Sequence, residues 1–96
     1  MPRELAALTK VRFVDCVLRH VDFGGATLNE VDFAGSEISA LMVRDARLTK
    51  VDFRGAQALR VAEGFTALRG AIVTPDQLLD LAPAFAASVG LLVQPE

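Results

Sequence analysis

Residues 31–55 read VDFAGSEISALMVRDARLTKVDFRG. The triplet Val31-Asp32-Phe33 returns twenty residues later as Val51-Asp52-Phe53, and an earlier copy begins at Val21. Between the two phenylalanines, large apolar residues fall at steps of five: Ile38, Val43 and Leu48. Working outward toward the N-terminus, the same step picks out Leu28, Phe23, Leu18, Phe13 and Leu8. A second column lies two residues before each centre and holds Val11, Cys16, Val21, Ala26, Val31, Ser36, Leu41, Ala46 and Val51, none of them charged. The positions between the columns are often polar, as at Arg12, Asp22, Asp32, Glu37, Arg47 and Asp52.

A helix repeats every 3.6 residues and a half-buried strand every two. Here two inward positions alternate as in a strand, and then the pattern skips three. The chain must therefore turn once per five residues, and four such turns close a coil of about twenty, a repeat length typical of stacked architectures. Positions one coil apart agree with that: Phe13, Phe33 and Phe53 align, as do Val11, Val31 and Val51, and Leu8, Leu28, Leu48 and Leu68. Gly25, Gly35, Gly55 and Gly70 all fall at the expected corners, where glycine tolerates left-handed backbone. Asp15, His20, Glu30, Ala40, Asp45, Lys50 and Arg60 share this class, so glycine is not demanded at every corner. Lys10, Glu30 and Lys50 form an outward column of alternating charge, expected to contribute about 0–1 kcal/mol per pair.

These units resemble the pentapeptide-repeat family, whose unit is summarised as A(D/N)LXX. Val21-Asp22-Phe23-Gly24-Gly25, Val31-Asp32-Phe33-Ala34-Gly35 and Val51-Asp52-Phe53-Arg54-Gly55 match it, and Ala26-Thr27-Leu28 and Ala46-Arg47-Leu48 are looser copies. The resemblance runs over residues 6–73 and implies an all-β repeat solenoid, a right-handed quadrilateral β-helix of about 3.4 coils. At a spacing of about 4.8 Å between coils the body would be roughly 16 Å long. Each buried Phe ring would contribute roughly 1.5–3 kcal/mol, so Phe33→Ala should cost far more than a change at Arg54.

The period falters at Ala58-Leu59-Arg60-Val61-Ala62-Glu63-Gly64-Phe65. Ala58 would underfill an inner column and Glu63 would point a charge inward, which is costly without a partner. The expectation is a bulge that turns Glu63 outward, with Leu59 or Phe65 covering the gap. Residues 74–96 then form a second segment, a C-terminal helical cap. Thr74 reads as an N-cap with Pro75 at N1 and Gln77 at N3 of a capping box. The spacing predicts a helix over 75–81, a break near Pro83, a second helical piece to 88 and a stop at Gly90. The tail is too apolar for open water and has two jobs available, capping the coil and pairing with a second copy. Some family members resemble the latter arrangement, associating through their C-terminal regions. At the other end, either Met1 to Leu5 folds over the first coil, another chain covers it, or the sequence is truncated.

Leu, Ile, Val and Phe make up about a third of the 96 residues, which speaks against disorder. Trp and Tyr are absent, and the net charge is −2. Residues 6–73 carry nine bases and eight acids, while Asp76, Asp80 and Glu96 put the negative excess in the tail. No stretch is long and apolar enough to span a membrane, and the N-terminus lacks a secretory signal. With Cys16 as the single cysteine, neither an intrachain disulfide nor a cysteine-rich zinc site can form; a cytoplasmic location is expected. His20 and Cys16 are read as an outward corner residue and a small inner filler, and Asp22, Asp32 and Asp52 as repeat positions. No catalytic, cofactor-binding or metal-binding residue is assigned, and no cofactor. The function expected is a non-enzymatic structural or protein–protein interaction module with an unidentified protein partner, and the protein itself a homodimer. Direct nucleic-acid binding is not expected, nor a membrane partner. The alternative carried over from the family is a DNA mimic that binds DNA gyrase and protects it from inhibitors; the short body and balanced charge count against it.

Overall fold

The computed structural model describes residues 7–95, and the N-terminal lid considered above lies outside them. The chain forms a parallel β-solenoid of about three turns with a single C-terminal helix. The first coil contributes β1 (Ala7–Thr9), β2 (Arg12–Val14) and β3 (Val17–Arg19). The second contributes β4 (Thr27–Asn29), β5 (Asp32–Ala34) and the start of β6 (Glu37–Met42), and the third β7 (Arg47–Thr49), β8 (Val51–Asp52) and the start of β9 (Ala58–Glu63). A 3-10 helix, Phe65–Leu68, and β10 (Ala71–Ile72) precede α1 (Pro75–Ser88).

Strands twenty residues apart pair in parallel and build the walls. The first wall is β1-β4-β7, the second β2-β5-β8-β10 and the third β3-β6-β9. A fourth is carried by the bridge between Asp22 and Met42 and by hydrogen bonds from Phe23 N to Met42 O and Val43 N to Glu63 O. Paired register sets Leu8 over Leu28 over Leu48, and Phe13 over Phe33. Phe13, Phe33 and Phe53 stack with ring centroids 5.1 and 5.0 Å apart. The core consists of the two inward columns: Phe23, Ala26, Leu28, Val31, Phe33, Ser36, Ile38, Leu41, Val43, Ala46, Leu48, Val51 and Phe53 are all buried. Leu8, Val11, Phe13, Leu18 and Val21 of the first coil are half-buried; among the described residues a coil stacks on them from one side alone.

Among the described residues Ser36 is the one buried polar residue. Its hydroxyl lies 3.3 Å from the carbonyls of Phe13 and Ala34 and accepts the Cys16 N–H at 3.1 Å. A polar group in the inner column is thus satisfied by backbone, and in satisfying it ties the first coil to the second.

The corners are more uniform than their sequences. Lys10, Asp15, His20, Glu30, Ala40, Asp45 and Lys50 all take the left-handed conformation, with φ between 53° and 61°. Gly25, Gly35 and Gly70 share this geometry, while Gly55 and Arg60, at and beside the irregular third coil, do not; the non-glycine residues that adopt it bear a cost of about 1–2 kcal/mol each that stacking overrides.

The irregular segment resolves as an insertion. Through the second coil the offset between partners is twenty residues, yet Glu37 pairs with Ala58 and Ile38 with Leu59. The extra residue brings Leu59 into the column above Ile38, where it is buried, and leaves Ala58 exposed. Leu59, nominally an outward apolar residue by strict period, is therefore a core residue. Leu41 pairs with Val61 and Met42 with Glu63, and by Val51 and Ala71 the twenty-residue offset is restored. Glu63 points outward and accepts a 2.8 Å hydrogen bond from Arg44.

The tail departs from expectation at Pro83. One helix runs unbroken from Pro75 to Ser88 with Pro83 inside it. Proline removes one N–H, the donor to the carbonyl of Leu79, and Leu79 lies on the exposed side, where water can serve that carbonyl. On the opposite side Leu81 is buried against the coil, and Phe85 meets Phe65 at 4.7 Å. These contacts bracket Pro83 and hold both halves on one axis. The capping box forms as read: Thr74 Oγ1 accepts from Gln77 N, and Gln77 Oε1 accepts from Thr74 N. Gln77 Nε2 also donates to the Phe53 carbonyl at 2.7 Å, so the side chain that starts the helix fixes it to the last part of the core. Gly90, at φ 79°, ends the helix with bonds from Gly90 N to Ala87 O and Leu91 N to Ala86 O, a Schellman motif.

Gly64 permits the return from the insertion. Its φ is 91°, and a Cβ there would lie 2.5 Å from Arg44 N and 2.6 Å from Val43 C, both backbone atoms that cannot move aside cheaply. Gly64→Ala should lower stability by about 2–4 kcal/mol. Gly25→Ala, at φ 74° with nothing within 4 Å, should lose only about 1 kcal/mol. Thermal unfolding followed by circular dichroism measures both; equal losses would contradict the close approach.

Candidate interaction surfaces

The aspartates of the repeat shape the walls. Asp22 Oδ1 accepts from Gly24 N at 2.8 Å and Asp52 Oδ1 from Arg54 N at 2.9 Å. Both stand where a strand stops at a tight turn, closed by Ala26 N to Phe23 O and Ala56 N to Phe53 O. A short carboxylate that hydrogen-bonds its own backbone two residues on is suited to such a place. Asp32 instead pairs across one coil with Arg12 Nε at 3.1 Å. Asp52 also pairs with Arg54, at 2.8 Å. The hydrogen bond from that guanidinium holds the Asp52 carboxyl below its ordinary value of 3.8, against a smaller opposing effect of burial.

The residues weighed as chemical groups lie apart. His20 sits exposed at a corner. Cys16 is half-buried in its inner column, with Sγ 3.4 Å from the Val14 carbonyl. Among the described residues there is no group of three or more His, Cys, Asp or Glu placed to hold a metal ion. No helix among them is long and apolar enough to cross a membrane.

Two surfaces stand out. The first is the outward face of α1 with the tail beyond it. Leu78, Leu79, Ala82, Pro83, Ala86, Val89, Leu91 and Val93 line an open groove of about 850 Å³ without a charged residue. Leu79, Val89, Leu92 and Val93 are each at least 70% exposed. Packing explains why the groove exists: the helix turns Gln77 and Leu81 to the coil, Phe85 packs on Phe65 while also lining the groove, and among the described residues the apolar side chains on the outer side have no counterpart. Capping signals made the helix legible, but its face toward solvent emerged only once Leu81 and Phe85 were seen to take the inner side.

The second is the set of outer walls, where charge is sorted. Arg12, Arg44 and Arg54, on the second and fourth walls, are each engaged by a carboxylate. On the first wall, among the described residues, Lys10, Arg47, Lys50 and Arg69 have no carboxylate within 4 Å. The expected Lys10–Glu30–Lys50 ladder thus does not close into ion pairs. The exposed apolar residues Val14, Val17 and Ile72 are dispersed over two walls and form no patch with Met42, which is only partly exposed.

A family model described as pentapeptide repeats (8 copies) matches residues 6–35. No curated protein matches the chain.

The Asp52–Arg54 pair has a pH signature. A carboxyl whose folded pKa is depressed stabilises the fold above its unfolded value and loses that contribution as pH falls through the folded value. Asp52→Asn, which keeps an acceptor for Arg54 N, should therefore be less stable than the parent at neutral pH. The difference should vanish in acid, well below the ordinary value of 3.8. Denaturant unfolding of both proteins across that range checks it.

Proposed function

The chain belongs to the pentapeptide-repeat family, and from that premise we propose that it is a non-enzymatic protein-interaction module that self-associates through the outer face of α1 and its tail. The β-solenoid of this family is generally a structural or interaction scaffold, and its rigid walls present side chains at low ordering cost on binding. The observation that carries the self-association is the uncharged apolar groove. Asp76 and Asp80 lie outside the groove lining, so a twofold pairing of identical faces brings no charge into the contact. Ala82 and Ala86 let the two helices approach closely.

The DNA-mimic reading draws no support from the surface. A phosphate-like surface requires continuous negative charge, whereas the arginines of the second and fourth walls pair with their carboxylates and residues 6–73 carry nine bases against eight acids.

Light scattering coupled to size exclusion should give twice the monomer mass at micromolar concentration. Leu79→Glu, at an exposed site that leaves the coil contacts intact, should shift the protein toward monomer by at least tenfold in dissociation constant, about 1.4 kcal/mol or more. A parent protein that stays monomeric at every concentration would overturn the proposal.

A further inference from the structure

The fourth coil of the solenoid stops after two walls. The 3-10 helix lies against β7 and β10 pairs with β8, extending the first and second walls, and the chain then turns at Thr74 into α1. On the third wall β9 is the last strand of its sheet. The register decides which of its backbone groups face outward. Glu37 N donates to Cys16 O and Met42 N to Val21 O, so these two residues bond the first coil, and Ile38 and Leu41 bond β9. In a parallel ladder a residue bonds the two neighbours of its partner, not the partner itself. The partners of Ile38 and Leu41 are Leu59 and Val61. Residues 58, 60 and 62 therefore carry the ladder, and the N–H and C=O groups of Leu59 and Val61 point to the far edge. Among the described residues none of these four groups has a backbone partner, and Gln77, the α1 side chain that reaches a coil carbonyl, goes to Phe53 instead. Along this edge runs a cleft of about 360 Å³, lined by residues 57–61 on one side and by Asp80, Leu81 and Ala84 of α1 on the other. Backbone groups left unpaired at a strand edge are a ready template for another strand.

We propose that this edge takes up an extended segment of a partner polypeptide, added to β3-β6-β9 as a further strand beside α1. This rests on the reading of the solenoid as an interaction module and adds where a partner binds and in what conformation. The unpaired groups set the chemistry of the occupant. Two donors and two acceptors in line, on residues about 7 Å apart, are met by another extended backbone. Side chains of such a strand alternate between its faces. One set meets the apolar side of the cleft at Leu81 and Ala84 and is itself apolar. Arg60 and Asp80 line opposite sides of the cleft, and among the described residues neither meets a counter-charge. The other set therefore includes one charge of each sign. Ala84 presents only a methyl group and leaves the helix side of the cleft open. No residue lines both this cleft and the groove assigned to self-association, so the two contacts are separable.

The test uses the full chain and a fluorescein-labelled peptide that alternates valine with lysine and glutamate, titrated by anisotropy. The peptide should bind saturably, and its addition to isotope-labelled protein should shift the amide resonances of Leu59 and Val61. Two further peptides carry N-methyl groups on one or the other alternate set of backbone amides. A strand offers only one set to β9, so one of these peptides should bind about tenfold or more weakly and the other within about threefold of the parent. Ala84→Gln, which fills the cleft from the helix side, should weaken binding about tenfold. Leu79→Glu, on the opposite face of α1, should change it by less than about twofold. Absence of peptide binding, unmoved Leu59 and Val61 amides, equal losses from the two methylated peptides, or an unchanged affinity in Ala84→Gln would each overturn the proposal. Light scattering on the same samples separates the two readings: a dimer that ignores the peptide fails the β9 edge alone, and a monomer that binds it fails the C-terminal contact alone.

Discussion

Each inward side chain of this protein rests on the side chain at the same position one coil away, and the rest of the structure follows from that stacking. The phenylalanine rings repeat at 5.0–5.1 Å, close to the roughly 4.8 Å that separates hydrogen-bonded strands. Side-chain contact and backbone pairing thus share one period. Leu8, Leu28 and Leu48 occupy one column and Phe13, Phe33 and Phe53 another because unlike shapes would leave voids on every coil they touch. In a repeat array each unit relies on its neighbours, which explains why the third coil gives up its sequence period to keep its column filled. Inserting one residue places Leu59 over Ile38, expels Glu63 to solvent beside Arg44, and requires Gly64 to bring the chain back.

The same constraint makes the ends of the solenoid the places where chemistry must change. At the C-terminal end α1 stops the stacking. Leu81 and Phe85 provide the apolar cover, and Gln77 joins the helix cap to the Phe53 carbonyl through one side chain. An amphipathic helix that spends one face on the coil would ordinarily present charge on the other. Here the other face is Leu78, Leu79, Ala82, Pro83 and Ala86, and that inversion separates a lid from a contact surface.

Much of the coil was legible in the sequence because stacking demands like residues at fixed intervals, and the interval of five is foreign to helices and plain strands. The buried columns follow it from Phe23 to Phe53. The insertion was legible only as a fault: Ala58 and Glu63 mark where the period fails, and Leu59 shows how it is repaired only when its partner Ile38 is known. Pro83 misled because proline breaks helices that must hold themselves together, whereas this one is held by Leu81 and Phe85 on its far side. The corner residues Ala40 and Lys50 concealed a shared left-handed geometry, since tertiary stacking sets their φ against intrinsic preference. Which bases are paired was not legible in a nearly neutral total: Arg12, Arg44 and Arg54 meet carboxylates, and Arg19, Arg47, Lys50 and Arg60 meet none among the described residues.

The most direct measurement is the pattern of through-space proton contacts in solution NMR. The account predicts methyl contacts between Leu28 and Leu48, twenty residues apart, and between Ile38 and Leu59, twenty-one apart, with the Ala58 methyl free of Ile38. Contacts from Ile38 to Ala58 in place of Leu59, or helical contacts between near neighbours through residues 12–53, would contradict it.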